Sequence, residues 1–294
     1  MAYTSADLIE AVKSLASIPS SQNLFSPTDF LRFANRALSL KLTPLLQSAR
    51  EEYHVVAKDF TITEGKTAYR IPSHAAGAKL RDVKIVKDGV EESLNRLEPE
   101  FITTEERGFY LKGNQVVLAW SPKGSEGTLR LSYFRRPGAL VQVTSCAVVT
   151  SVDTANNQIT VASVPSTFAV GIEVDIIEAK PGFDWLVTDS ALVGISGSVL
   201  TFSSLPDDIS EGDYVALSGE SPVIQLPLEL HPLLEQAVAI QCLDAQNKNS
   251  KKMSDDYKEM QQDVLKVLTP RIDGEPKKIV NPTSLLNSSR RWRF

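Results

Sequence analysis

Three histidines, two cysteines and 36 carboxylates are the side chains of this 294-residue sequence with the widest chemical range. His54, His74 and His231 lie far apart, and none stands in an H-E-x-x-H or similar ligand pair. The spacing predicts structural or exposed rings rather than a zinc site. Cys146 and Cys242 form neither a disulfide framework nor a metal-type pair, and read as two small buried hydrophobes in a protein made in a reducing compartment. Glu64–Thr67, "EGKT", has the ending of a phosphate-binding loop. Phe60, however, occupies the position of the required first glycine, and strand-forming residues follow where a helix is needed. Gly194–Ser198, "GISGS", fails as a nucleophile elbow because glycine directly follows Ser196, and a turn between strands accounts for it. No catalytic residue, metal ligand or cofactor is assigned.

The carboxylates are unevenly spread. Residues 137–222 hold eleven acids (Asp153, Glu173, Asp175, Glu178, Asp184, Asp189, Asp207, Asp208, Glu211, Asp213, Glu220) against Lys180, a balance of −10, whereas the remainder carries 30 bases and 25 acids. A shift this abrupt marks a separate module. Its acids are scattered and lack the D-x-D-x-D-G order of a calcium loop, so they are expected to form a solvated face.

The elements that must position these groups follow from periodicity. In "SADLIEAVKSLASI" Leu8, Val12 and Leu15 recur at helical spacing, with Ser5 as the expected cap and Pro19 as the stop. Ser26 followed by Pro27 signals a second helix start, and Phe30, Phe33, Ala34, Ala37 and Leu38 make its apolar face. Pro44 predicts a kink or break near Thr43. From Tyr53 the period turns to alternation, with strands in "YHVVAKDFTI", "TAYRIP", "RDVKIVKDG", "GFYLKGNQVVLAW" and "GTLRLSYF". Lys112-Gly113-Asn114 is a hairpin turn, and "VEESLNRLEPEFITTEER" reads as a loop with one helical turn.

Residues 137–222 are expected to be all β: a hairpin in "CAVVTSVDTANNQITVAS", then "IEVDIIEA", "SALVGIS", "SVLTFSS" and "DYVALSG". Five or six short strands suit a small barrel or sandwich. The flanking "RRPG" and "GESP" read as hinges into a host domain. Helical spacing returns in "LPLELHPLLEQAVAIQCLDAQNK" and again after Ser254, taken as the cap of a helix with Tyr257, Met260, Val264 and Leu268 on one face. Both late helices need the N-terminal helical hairpin as a partner. The predicted fold class is α+β. Residues 1–136 and 223–270 form a helical body with an antiparallel β section, 137–222 an inserted all-β barrel or sandwich, and 271–294 an extended C-terminal arm. The arm combines six bases with Leu285, Leu286, Trp292 and Phe294, a composition suited to ordering on a partner. No apolar run is long enough to span a membrane, and the acid-containing N-terminus does not read as a signal peptide.

The leading "DLIEAVKSLASIPSSQNLFSPTDFLRFANRAL", the β section closing on "RLSYFRRP", and "LPLELHPLLEQAVAIQCLDAQN" followed by a helix with Tyr257 resemble head–tail connector (adaptor, head-completion) proteins of tailed bacteriophages. The resemblance covers residues 5–136 and 223–268, and the acidic segment departs from the smallest members of that family. It implies a non-enzymatic virion structural protein without cofactor. Such a protein would form a homo-oligomeric ring, commonly dodecameric, at the neck between portal and tail after assembly in the host cytoplasm. The ring would extend the channel through which double-stranded DNA passes and would offer a docking platform to a tail or nozzle protein. Portal binding would fall to Leu285, Leu286, Arg290, Arg291, Trp292, Arg293 and Phe294. Twelve chains would carry roughly −60, which keeps a passing polyanion from adhering. The acidic module could line the channel or project outward, the latter being the usual place for an insertion.

Two other classes compete. A tail-associated receptor- or glycan-binding protein would need exposed aromatics among Phe168, Phe183, Trp185, Phe202 and Tyr214. An enzyme would need the fold to gather histidine and acids in one buried cluster.

Overall fold

A computed structural model describes residues 3–19, 21, 24–50, 52–99, 107–123, 127–180, 182 and 184–268. Helix α1 (Ser5–Leu15) is capped by Thr4, one residue earlier than expected. The Asp7 amide donates to Thr4 Oγ1 and the Thr4 amide to Asp7 Oδ2, a reciprocal capping box, while Ser5 is already helical and buried. Helix α2 (Pro27–Ala37) starts as read, with Ser26 and Asp29 forming a second capping box. The break expected from Pro44 takes the form of a π-helical turn over Leu38–Leu42, which leads into α3 (Thr43–Ala49). Pro44 has no N–H for the Leu40 carbonyl, and the register slips so that the Thr43 amide reaches back to Leu38.

Between α3 and residue 135 lie β1 (Val55–Thr61), β2 (Ala68–Arg70), β3 (Ala75–Lys87), β4 (Val90–Ser93), β5 (Asn95–Arg96), β6 (Gly108–Lys112), β7 (Gln115–Leu118) and β8 (Thr128–Arg135). They form two four-stranded sheets, ordered β1-β8-β3-β4 and β2-β7-β6-β5, which share one apolar core around Tyr69, Val83, Val116, Leu129 and Leu131. β6 and β7 are the hairpin read at Lys112-Gly113-Asn114. β4 and β5 correct, over its first half, the reading of "VEESLNRLEPEFITTEER" as a loop with one helical turn; residue 99 is in a 3-10 turn, and residues 100–106 lie outside the described residues. All four β4 residues are exposed on a sheet edge, so no apolar alternation announces the strand.

Beyond β9 (Ala139–Leu140) come β10 (Ala147–Asp153), β11 (Gln158–Val161), β12 (Glu173–Ile177), β13 (Trp185–Ala191), β14 (Gly194–Ser196), β15 (Val199–Thr201) and β16 (Tyr214–Leu217), then β17 (Glu220–Ser221). Seven of these make a single sheet in the order β13-β12-β16-β10-β11-β15-β14. It is not a closed barrel, because its ladder ends at β13 and β14, but residues from both halves meet in one core through Val149, Ile159, Val174, Ile176, Leu200 and Val215. The chain enters and leaves this region side by side, since β9 and β17 pair in parallel.

Helix α4 (His231–Ala245) buries nine residues around its circumference and lies centrally against α1, α2 and α5 (Lys251–Leu268). α5 begins three residues before Ser254, so Ser254 is not its cap. The partnership expected of the early and late helices is present: Leu8, Phe30, Ala34, Leu233, Leu234, Ala237 and Tyr257 belong to one core. The described chain is thus a mixed α+β fold whose main sheets are antiparallel apart from the short parallel pair of β5 with β6.

Candidate functional site

The strongest polar constellation is a seam where β1, β8 and the turn before β3 meet β12, β13 and the turn after β16. Arg135 ends β8, and its Nη2 donates to Asp175 Oδ2 of β12 in an ion pair whose side chains are 1% and 0% exposed. Asp175 also accepts from the backbone amides of Asp189 at 2.8 Å and Gly219 at 2.9 Å. Burial holds its carboxyl above the ordinary carboxylate range, against the pull of Arg135 and those amides. The indole of Trp185 in β13 lies 4.8 Å from the guanidinium, and the His54 ring 5.3 Å from the indole.

Asp189 is aimed into the seam by a β-bulge. Thr188 and Asp189 together oppose the single residue Asp175, and Asp189 takes a left-handed φ of 51°, which aspartate tolerates better than most residues. Its carboxylate accepts from Lys58 Nζ at 3.1 Å and from the Ser218 hydroxyl, and lies 3.4 Å from His74 Nε2. Burial alone would raise its pKa, but the Ser218 hydrogen bond and the Lys58 charge outweigh burial and bring the group below the usual carboxylate range.

The fold therefore gathers a serine, a histidine and an aspartate, the observation that would favour an enzyme. The geometry is not that of a hydrolytic relay. Such a relay holds the carboxylate on one ring nitrogen and the hydroxyl on the other. Here Ser218 Oγ, 3.0 Å away, and Asp189 both face His74 Nε2, and the Ser218 proton is already given to Asp189. The arrangement is a set of charge-assisted hydrogen bonds joining two sheets. It also corrects the expectation of a solvated acidic face. Asp175 and Asp189 neutralise cations of the preceding β section, and Asp213 accepts from the Ala179 and Ser210 amides, whereas Asp207, Asp208 and Glu211 are exposed.

His231 is buried within hydrogen-bonding distance of the Leu226 carbonyl, and burial lowers its pKa. Both cysteines are buried and free, as expected of small hydrophobes, and burial pushes the Cys146 thiol up to about 12 and that of Cys242 to about 11. Among the described residues no group of three or more His, Cys, Asp or Glu could hold a metal ion, and no helix is long and apolar enough to cross a membrane. Phe168 and Phe202 are consumed by the core of the seven-stranded sheet, and Trp185 and Tyr214 are half-buried. Leu285, Leu286, Arg290, Arg291, Trp292, Arg293 and Phe294, the portal-binding candidates, lie outside the described residues, as does Phe183.

The two capping boxes, the β section closing on Arg135 and the first strands of the acidic segment coincide with a known family. The sequence model described as SU10 adaptor protein matches residues 3–172, more than half of the chain. The chain belongs to this family of phage head–tail adaptors. The match extends into the acidic segment and ends before α4, so the late helices carry the earlier resemblance outside it. No curated protein matches the chain. Family membership points to a structural, non-enzymatic role in the virion.

Proposed function

We propose that this protein is the ring-forming adaptor at the neck of a tailed phage, set between portal and tail. The observation that carries the reading is the adaptor-family match over residues 3–172. In this reading twelve copies form the ring through their helical bodies, extend the DNA channel and give the tail or nozzle protein its platform. Residues 1–136 with 223–270 are the body and 137–222 the inserted domain. That division is supported by the origin of all seven strands of the large sheet within Ala147–Leu217 and by the parallel pairing of the incoming and outgoing strands. The Arg135–Asp175 and Lys58–Asp189 pairs then act as a brace that keeps the insert at one angle to the body. Residues 271–294 are the arm, with Leu285, Leu286, Trp292 and Phe294 as apolar anchors and Arg290, Arg291 and Arg293 meeting acids of the portal. The competing receptor or glycan reading lacks an exposed aromatic among the described residues of 137–222.

The test is electron microscopy of particles carrying a label on this chain. A ring of label at the head–tail junction is the expected result. Label at the tail tip, or a single copy per particle, sinks the proposal.

A further inference from the structure

Beside the π-helical turn, Phe33, Arg36, Ala37, Leu40, Lys41, Gln241 and Asp244 line a pocket of about 370 Å³. Its lip carries Leu40, which is 68% exposed. The π turn is what presents it: the slipped register carries Leu40 and Lys41 outward while Leu38 and Leu42 stay in the core. The flanking stretch 30–49 holds Arg32, Arg36 and Lys41 and no acid. Lys41 lies over the Tyr257 ring and Arg32 faces only the exposed Asp29, while Arg36 has no ion pair among the described residues. The Asp244 carboxylate at the pocket edge accepts from Ser250. The site thus presents an apolar floor under a rim with two cations, Arg36 and Lys41, against the single carboxylate of Asp244.

The opposite chemistry is found on the same chain. The loop at 203–213 between β15 and β16, "SSLPDDISEGD", has no base. Asp213 turns inward, but Asp207, Asp208 and Glu211 are exposed and without an ion pair among the described residues; Lys180 approaches the Ser210 hydroxyl at 3.4 Å. Leu205 and Pro206 at the loop's start are half-buried. No hydrogen bond or ion pair among the described residues joins this loop to α2 or the π turn.

We propose that the pocket beside the π turn receives the acidic 203–213 loop of a second copy of this chain. Two different surfaces of one chain that fit each other make a heterologous contact, the kind that closes into a ring when repeated by rotation. Opposite charge on the two surfaces fixes the register and discourages contact between two acidic segments. The uneven spread of charge along the sequence then has two structural uses: Asp175 and Asp189 face cations within the chain, and Asp207, Asp208 and Glu211 face Arg36 and Lys41 of the neighbour.

The inference rests on the ring reading, and the experiment separates the two. Particles are assembled with the full-length chain carrying Leu40→Cys and Asp208→Cys, then mildly oxidised; the native Cys146 and Cys242 are buried and do not compete. The expected result is a ladder of covalent multimers from the double variant and none from either single variant. Many copies at the neck without a ladder would overturn the pocket assignment alone, whereas one copy per particle would overturn the ring reading with it. A charge exchange covers failed incorporation of the cysteine variant. Asp207→Lys with Asp208→Lys, or Arg36→Glu with Lys41→Glu, should lower incorporation at least about tenfold, and the four changes together should restore it. Undiminished incorporation of either pair, or no restoration in the combination, refutes the contact.

Discussion

The Arg135 guanidinium of β8 and the Asp175 carboxylate of β12, forty positions apart, form an ion pair sealed from water at the meeting of two sheets. The pair serves position more than net stability, because desolvating two ions offsets most of their attraction. Arg135 Nη1 and Trp185 Nε1 have no hydrogen-bond partner there, which adds to that cost.

Removing one partner leaves the other charge buried. Arg135→Met is expected to destabilise the protein by about 3–5 kcal/mol in urea denaturation. Adding Asp175→Asn should recover part of the loss, since a neutral amide oxygen still accepts from the Gly219 or Asp189 amide without a buried charge. Equal stability of the single and double variants would contradict the coupling.

His54 predicts an acid-sensitive seam. Some of its residue surface is accessible, yet Nδ1 is sealed and unpartnered; burial foremost, helped by the Arg135 charge, lowers the ring pKa from 6.5 to about 4 despite a hydrogen bond with the Gln225 backbone. Between those values the unfolded chain binds the proton and the folded chain does not. Stability is therefore complete above about pH 6.5 and falls as the pH drops toward 4, by about 1 kcal/mol per pH unit near pH 5 and about 3 kcal/mol in all. His54→Asn, a residue that accepts the left-handed φ of 62°, should flatten that slope when urea midpoints are compared at pH 7 and 5.

Local sequence specifies the helices of this fold more completely than its seam. α2 was readable because Ser26, Pro27 and a helical apolar stripe agree with each other. The resemblance to phage adaptors was carried by such runs and by the Arg-Arg-Pro exit. The seam was not readable. "EVDII" looks like any strand, and nothing local says that Asp175 meets Arg135 rather than water. β13 was also missed in part, since the expected strand began at Ser190 while Trp185–Asp189 carries the bulge that aims Asp189. Pairings of this kind depend on strand order, which periodicity does not encode.

Gly219 tests how tightly the seam is closed. Its φ is +82°, and a Cβ there would lie 2.5 Å from His74 Cε1. Gly219→Ala is expected to cost about 2–4 kcal/mol, combining backbone strain with overpacking. Gly113, with φ +58° and open space around it, should cost only about 1 kcal/mol when changed to alanine. In a His74→Ala background the Gly219→Ala penalty should shrink toward the Gly113 value. A penalty unchanged by removal of the ring would mean that the close approach is not what the glycine serves.

Truncation separates the roles of the folded body and of residues 271–294. The Leu268 carbonyl accepts from Arg50 Nε at 3.1 Å and Leu268 belongs to the helical core, so α5 is anchored up to its last residue. Deleting 271–294 should therefore shift the thermal midpoint by less than about 2 °C, the range of surface changes. The same truncation should abolish binding to the purified portal, measured by co-sedimentation. Trp292→Ala with Phe294→Ala should weaken binding by about 100-fold or more if the aromatics are the anchors. Arg290, Arg291 and Arg293 changed to glutamine should instead lower affinity less and reduce its salt dependence. Full portal binding by the truncated chain would remove the arm from the assembly and leave attachment to the folded body.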